Sequence, residues 1–236
     1  MFYFNILGML FCVIGLVNYS FAEASAVDTP EVSALKANIV NLGKNIKNGK
    51  YFPETQIPVE LNAIRVDMLK IANLGRQNPK YRVNNKEAND LSGESVVTQN
   101  GEEKIFKNSV TPPYFNDLVL NDALNKAAQF QAEWQAKIQD VTHQGPKEFN
   151  GKPTTHAWQR TIAFDFDNDK YQLEGEGGAA AQSVDVFPEN WMKSETHYRP
   201  WFNIGHDVRQ IGLGLAKGAN GIWYATVIAA EGERKW

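Results

Sequence analysis

The sequence predicts an α+β domain. Its helical patterns come first, its two clearest strand patterns stand near the C-terminal end, and Gly218-Ala219-Asn220-Gly221 joins those strands as an antiparallel hairpin. At 236 residues, less a leader and linkers, the chain holds one sizeable core rather than two. With 43% hydrophobic and 22% charged residues it has the composition of a globular protein, and a net charge of -3 leaves no basic footprint, so nucleic acid is excluded as a partner class.

Residues 1–22 carry no charged side chain. Positions 6–17 form an apolar run of the length of a signal-peptide core, and Ser20-Phe21-Ala22 supplies a small-x-small cleavage site, although the usual Lys or Arg ahead of the run is missing. The expectation is a signal peptide over 1–22 and a secreted or periplasmic mature chain. A membrane-spanning helix wants about 20 apolar residues, and Asn18-Tyr19-Ser20 interrupts this run early, so no stable membrane span is expected in the mature chain. The one cysteine, Cys12, lies in the leader, which removes thiol nucleophiles, disulfides and thiolate metal ligands from the mature protein.

An N-terminal extension over 23–56 contains Leu35, Ile39, Leu42 and Ile46 at helical spacing, one amphipathic helix that either packs on the domain or stands apart from it. Pro58 then opens a stronger pattern: Leu61, Ile64, Met68, Ile71 and Leu74 share a face, and Gly75 with Asn78-Pro79 ends it, predicting a helix over 59–74. From 80 to 113 the composition turns polar. Within it, Val96-Val97-Thr98 and Lys104-Ile105-Phe106 flank Asn100-Gly101 as a small hairpin. The clearest helix spans 122–139, with Asn121 as N-cap and a stripe of Ala123, Ala127, Phe130, Trp134 and Ile138. After it the sequence predicts a Gly/Pro break, a short helix over 156–162, a Gly-rich turn at 175–178, a short helix capped by Asp185 and running through Trp191 to Ser194, and strands over 208–215 and 222–229.

The stretch 118–230 resembles, segment by segment, the bacterial-type CAP domain, SCP-like, of the cysteine-rich secretory, antigen 5 and pathogenesis-related 1 superfamily. Leu118-Val-Leu-Asn-Asp-Ala-Leu-Asn-Lys-Ala-Ala is similar to that family's start of an alanine-faced helix, and Thr142-His143-Gln-Gly to its Ser/Thr-His-x-Gly turn. Gly175-Glu176-Gly-Gly-Ala179 resembles Gly-Glu-Asn-Ile/Leu-Ala with Gly177 in place of Asn, and Trp191-Met-Lys-Ser194-Glu-Thr-His197 resembles Trp-Met-x-Ser-x-x-His. Ile211-Gly-Leu-Gly-Leu-Ala216 and Ile222-Trp-Tyr-Ala-Thr-Val match the final hairpin. The resemblance implies an α-β-α sandwich with a central, mainly antiparallel sheet flanked by helices, a single CAP domain over 57–236, and an insertion at about 80–113.

It also implies a surface cleft lined by His143, Glu176, Ser194 and His197, with Ser194 standing where other branches of the family carry a second acid. Glu195 beside it is a weaker source of that carboxylate. Two neutral imidazoles bind a divalent ion such as zinc through ring nitrogens, with a carboxylate as third ligand or as the partner that fixes a tautomer; the metal set is then His143, His197 and Glu176. Their separation in sequence matches no local metal motif, so the resemblance alone brings them together. The alternative is a metal-free polar cluster in which Glu176 accepts imidazole N–H bonds. Ser194 and His197, three apart, share a helix face as a nucleophile pair, but no oxyanion-hole motif accompanies them. Asp165, Asp167, Asp169 and Glu176 occupy positions one, three, five and twelve of a calcium loop, yet Lys170 stands where that loop needs Gly, which favours a solvated acidic turn. His156 and His206 read as surface or packing residues. Trp158, Trp191, Trp201 and Trp223 read as core aromatics, the other reading being a cleft rim formed by a Trp with Tyr198. Arg199 reads as a structural ion-pair partner, the other reading being a contact to an anionic ligand.

Three functions follow. The first is a secreted binding module whose cleft takes a divalent metal, small molecule, lipid or peptide. The second is a metal-assisted hydrolase of extracellular or envelope polymers with Glu176 moving the proton. The third is a non-catalytic protein interaction domain that uses the 80–113 insertion.

Overall fold

The computed structural model describes residues 29–47, 57–77, 94–99, 102–107, 117–193 and 208–233. Residues 1–22, where a leader is expected, and Ser194, His197, Tyr198, Arg199, Trp201 and His206 lie outside the described residues. The described helices are α1 (Pro30–Asn45), α2 (Val59–Gln77), α3 (Asp122–Ile138), α4 (Ala157–Ala163) and α5 (Phe187–Lys193), the last preceded by a 3-10 turn, Val184–Val186. The strands are β1 (Glu94–Gln99), β2 (Glu102–Lys107), β3 (Val119–Leu120), β4 (Glu148–Phe149), β5 (Lys152–Pro153), β6 (Tyr171–Ala181), β7 (Val208–Lys217) and β8 (Trp223–Glu233).

Helix and sheet are mixed as the sequence predicts. The main sheet has the order β3-β7-β8-β6, with β3 parallel to β7 and the other pairs antiparallel. Alternation divides its side chains. Ile211, Leu213 and Leu215 of β7 and Ala225, Val227 and Ala229 of β8 pack into one core with Ile39 of α1, Leu61, Ile64 and Met68 of α2, and Phe187 and Trp191 of α5. On the other face Ile228 and Ala230 meet Leu124, Ala127 and Ala128 of α3 and Phe164 and Phe166 beyond α4, while Tyr224 and Ala216 meet Ala132 and Ala136. Helices therefore cover both faces. Thr29 caps α1 by accepting the Val32 N–H, and Pro30 starts it; buried Val32, Ile39 and Ile46 then make this stretch part of the main core.

The contact of α3 with β7 follows from matched spacing. The Asn121 N–H donates to the Ile211 carbonyl at 2.9 Å, Asn125 Oδ1 accepts the Leu213 N–H at 2.9 Å, and Gln129 both accepts the Leu215 N–H at 3.1 Å and donates to its carbonyl at 2.9 Å. Four helical residues advance about 6 Å and two strand residues about 6.7 Å, so one helix face follows alternate strand residues. β7 pairs with β3 only at Gln210 and Ile211, and the amide side chains of α3 satisfy the strand beyond. Gly212 and Gly214 permit this approach, since a Cβ at Gly214 would lie 2.0 Å from the Ala128 carbonyl oxygen.

The hairpin expected around Asn100-Gly101 is present as β1 and β2, with Gln99 opposite Glu102. The C-terminal hairpin closes as expected, Lys217 opposite Trp223 and Gly221 at φ 78°. The expected Gly-rich turn at 175–178 is instead the middle of β6: Glu176 sits opposite Ile228, Gly177 opposite Val227 and Gly178 opposite Thr226. Pairing with an apolar β8 overrides the low strand propensity of glycine and alanine. The sequence reading also missed the small hairpin of β4 and β5, whose signal was Asn150-Gly151, at φ 49° and 75°. Among the described residues no helix is long and apolar enough to cross a membrane.

Candidate functional site

Strand β6 turns Glu176 toward α4, where Arg160 is fully buried. The two form an ion pair through Arg160 Nη2 and Glu176 Oε2, and the Glu176 side chain keeps only 4% exposure. The other carboxylate oxygen, Oε1, lies 3.2 Å from His143 Nδ1, whose side chain is 67% exposed. A carboxylate only accepts, so the Nδ1 proton is assigned to this bond and Nε2 becomes the acceptor nitrogen of the ring.

Two further sets of bonds hold the His143 loop. From α3, Gln131 and Gln135 both donate to the Thr142 carbonyl, at 2.5 and 2.9 Å. From α4, Arg160 donates to the carbonyls of Thr154 at 3.0 Å, Thr155 at 2.9 Å and His143 at 3.2 Å. The Gly145 N–H donates to Thr155 O at 2.8 Å, and a Cβ at Gly145 would lie 2.6 Å from Thr154 O and 2.7 Å from Arg160 Nη1. Glycine is required there because the loop passes directly over the guanidinium.

The Glu176 hydrogen bond raises the His143 pKa above its ordinary 6.5, burial opposes that, the Glu176 charge adds to it, and the Arg160 charge opposes it. Burial pushes Arg65, the other arginine at the α3 interface, down to about 10 despite the nearby carboxylates of Glu133 and Asp122, which leaves it cationic at neutral pH.

Of the expected cleft residues, the structure brings His143 and Glu176 together; Ser194 and His197 lie outside the described residues. Among the described residues no three His, Cys, Asp or Glu side chains gather as a metal site. The donor set fits a divalent ion in one way. His143 Nε2 would be the ligand, and Glu176, with one oxygen on Arg160 and the other on His143, would orient the ring from outside rather than ligate.

Sequence reasoning missed Arg160, which carries the site from below. Its one signal was a cation inside a short helix that also presents Ala157, Thr161 and Ala163. The calcium-loop reading does not hold. Glu176 is engaged with Arg160 and His143, Asp165 pairs with Lys152 at 3.2 Å, and Asp167 Oδ1 accepts the N–H groups of Asp169 and Lys170 in a local turn. Trp191 and Trp223 are core residues as expected, but Trp158 is 53% exposed and stacks on His156, with centroids 6.5 Å apart and planes at 8°.

No protein-family model matches the chain, and no curated protein matches it. A solved structure, that of an outer surface protein from Borrelia burgdorferi, is similar over 51% of this chain and 80% of its own, at 24% sequence identity and a TM-score of 0.40. An overlap this loose leaves the fold family open.

Proposed function

We propose that the chain is an exported CAP-type binding module, secreted or periplasmic, whose His143 takes up a divalent metal ion, zinc first, or the polar group of a small molecule, lipid or peptide. Helices on both faces of a mainly antiparallel sheet support the α-β-α sandwich, and the leader over 1–22 supports export. The observation that carries the reading is the asymmetric hold on His143: Nδ1 is engaged by a buried carboxylate while the side chain stays largely exposed. That arrangement fixes a ring orientation and leaves one nitrogen for a ligand. By the resemblance, His197 is the second imidazole.

The same geometry favours binding over metal-assisted hydrolysis. A general base needs a lone pair within reach of a water, whereas both Glu176 oxygens are engaged and its side chain is nearly buried.

Calorimetric titration of Zn²⁺ into the wild type and into His143→Ala/His197→Ala tests the reading, with circular dichroism confirming that both fold. Saturable binding by the wild type that disappears in the double variant is the expected result. A folded wild type that takes up no zinc removes the metal from the proposal and leaves the polar-cluster cleft.

A further inference from the structure

Asn-Gly pairs occur at 48–49, 100–101, 150–151 and 220–221, and the last two lie among the described residues, each at a hairpin turn. These two are held differently. Asn220 Oδ1 accepts the Ile222 N–H at 3.0 Å, its Nδ2 donates to the Tyr224 hydroxyl at 3.0 Å, and the Gly221 N–H donates to the Gly218 carbonyl at 2.9 Å. At the turn between β4 and β5, Asn150 and Gly151 are both exposed. Among the described residues neither the Asn150 side-chain amide nor the Gly151 N–H has a hydrogen-bond partner, and a Cβ at Gly151 would meet nothing within 4 Å. A backbone nitrogen and the amide carbon beside it therefore stand together in water without the restraints that hold the second pair.

We infer that Asn150 is a site of spontaneous deamidation, and that the isoaspartate formed there loosens the β4–β5 hairpin that supports the His143 loop. The reaction needs only water. The Gly151 nitrogen, giving up its proton, attacks Asn150 Cγ; the N–Cγ bond forms, the Cγ–Nδ2 bond breaks, and Nδ2 leaves as ammonia with that proton. Glycine favours the attack because no Cβ shields its nitrogen. Water then opens the cyclic imide at one carbonyl to give aspartate, or at the other to give isoaspartate, whose backbone runs through Cγ. Either product adds a carboxylate to a chain that already carries a net charge of -3. Isoaspartate also lengthens the backbone of a turn whose positive φ angles, 49° at Asn150 and 75° at Gly151, set Phe149 opposite Lys152. That register seats Phe149 against Phe130 and Phe164, with ring centroids 5.3 Å apart in each pair. Strand β5 runs directly into Thr154, whose N–H donates to the Lys147 carbonyl at 3.1 Å and whose own carbonyl, like that of Thr155, accepts from Arg160. The inference does not depend on metal uptake at His143.

The test ages the full chain in warm, mildly alkaline buffer, folded and urea-unfolded in parallel, and maps its peptides by mass spectrometry with fragmentation that distinguishes isoaspartate from aspartate. In the unfolded chain Asn150 and Asn220 should react at similar rates. In the folded chain Asn150 should lead Asn220 at least about tenfold, because three hydrogen bonds must open before Asn220 can react. The acidic form, separated by ion exchange, should lose hydrogen-exchange protection at the Thr154 amide, whereas Asn150→Gly, which suits the same turn, should keep that protection when aged alongside. A folded chain in which Asn150 stays intact while the unfolded chain reacts, or in which Asn220 keeps pace with it, overturns the site. Full Thr154 protection in the isoaspartyl form overturns the link to the His143 loop.

Discussion

Arg65 and Arg160 are both buried, each with an Nε that has no hydrogen-bond partner among the described residues, yet they are held by opposite means. Arg65 on α2 donates to two neutral amides, Gln129 Oε1 at 2.7 Å and Asn62 Oδ1 at 2.8 Å. Arg160 meets a nearly buried carboxylate and three backbone carbonyls from two loops. Removing the first leaves neutral groups behind, and Gln129 still has its bonds to Leu215. Removing the second strands a charge. The polar strap between α2 and α3 is therefore tolerant, and the one beneath His143 is not.

The largest expected effect follows from that difference. Arg160→Met leaves Glu176 without its counter-ion and should cost about 3–5 kcal/mol in a denaturant titration, with the Gly145 amide losing its exchange protection. Adding Glu176→Leu should recover most of that loss, because an apolar pair of similar volume carries no stranded charge. A double variant as unstable as the single one would mean that the carbonyl bonds to Thr154, Thr155 and His143 matter more than the ion pair.

Arg65→Met is the smaller counterpart. It removes one bond from Gln129 and one from Asn62, both from a charged donor, but breaks no direct ion pair, so the expected loss is about 1.5–3 kcal/mol, below that of Arg160→Met. Equality of the two single variants in the same titration would break the contrast and point to the nearby Glu133 as a charge that Arg65 compensates.

The difference also marks what the sequence could convey. The α3 helix was legible because Asn121 caps it, but its buried face was not: of the expected stripe only Ala127 is buried, Ile138 is exposed, and Leu124, Ala128, Gln129, Ala132 and Gln135 face the sheet instead; the final hairpin was legible because turn residues separate two apolar runs. β6 was not: its glycines and alanines give a turn signal locally, and only the apolar β8 beside it makes them a strand. His143 and Glu176 were singled out through a resemblance of short motifs, not through their spacing, and the structure places them 3.2 Å apart. Arg160 carries no such mark, since a buried arginine is recognised by the carboxylate it meets, and Glu176 is far from it in the chain. Trp158 misled for the converse reason: tryptophan is usually interior, but α4 is short and its one buried face is taken by Arg160, Thr161 and Ala163.

The smallest effect is on His143 itself, and it reads the site without loading it. In the wild type the imidazole should titrate above its ordinary 6.5, because the Glu176 bond and charge outweigh burial and the Arg160 charge. A folded-state pKa raised above the unfolded one means that this contact adds stability below the unfolded pKa and loses it as pH rises through the folded value. Glu176→Gln removes the charge and weakens the hydrogen bond, since a neutral amide oxygen is a poorer acceptor from the imidazolium, and keeps the two lowering contributions, so His143 should then titrate below the wild-type value, and the drop in stability between pH 6 and pH 8 that belongs to it should shrink. The imidazole Hε1 resonance followed against pH in both proteins measures this directly. An unchanged midpoint would mean that His143 turns away from Glu176 in solution, and the hold that presents Nε2 to a ligand would be lost with it.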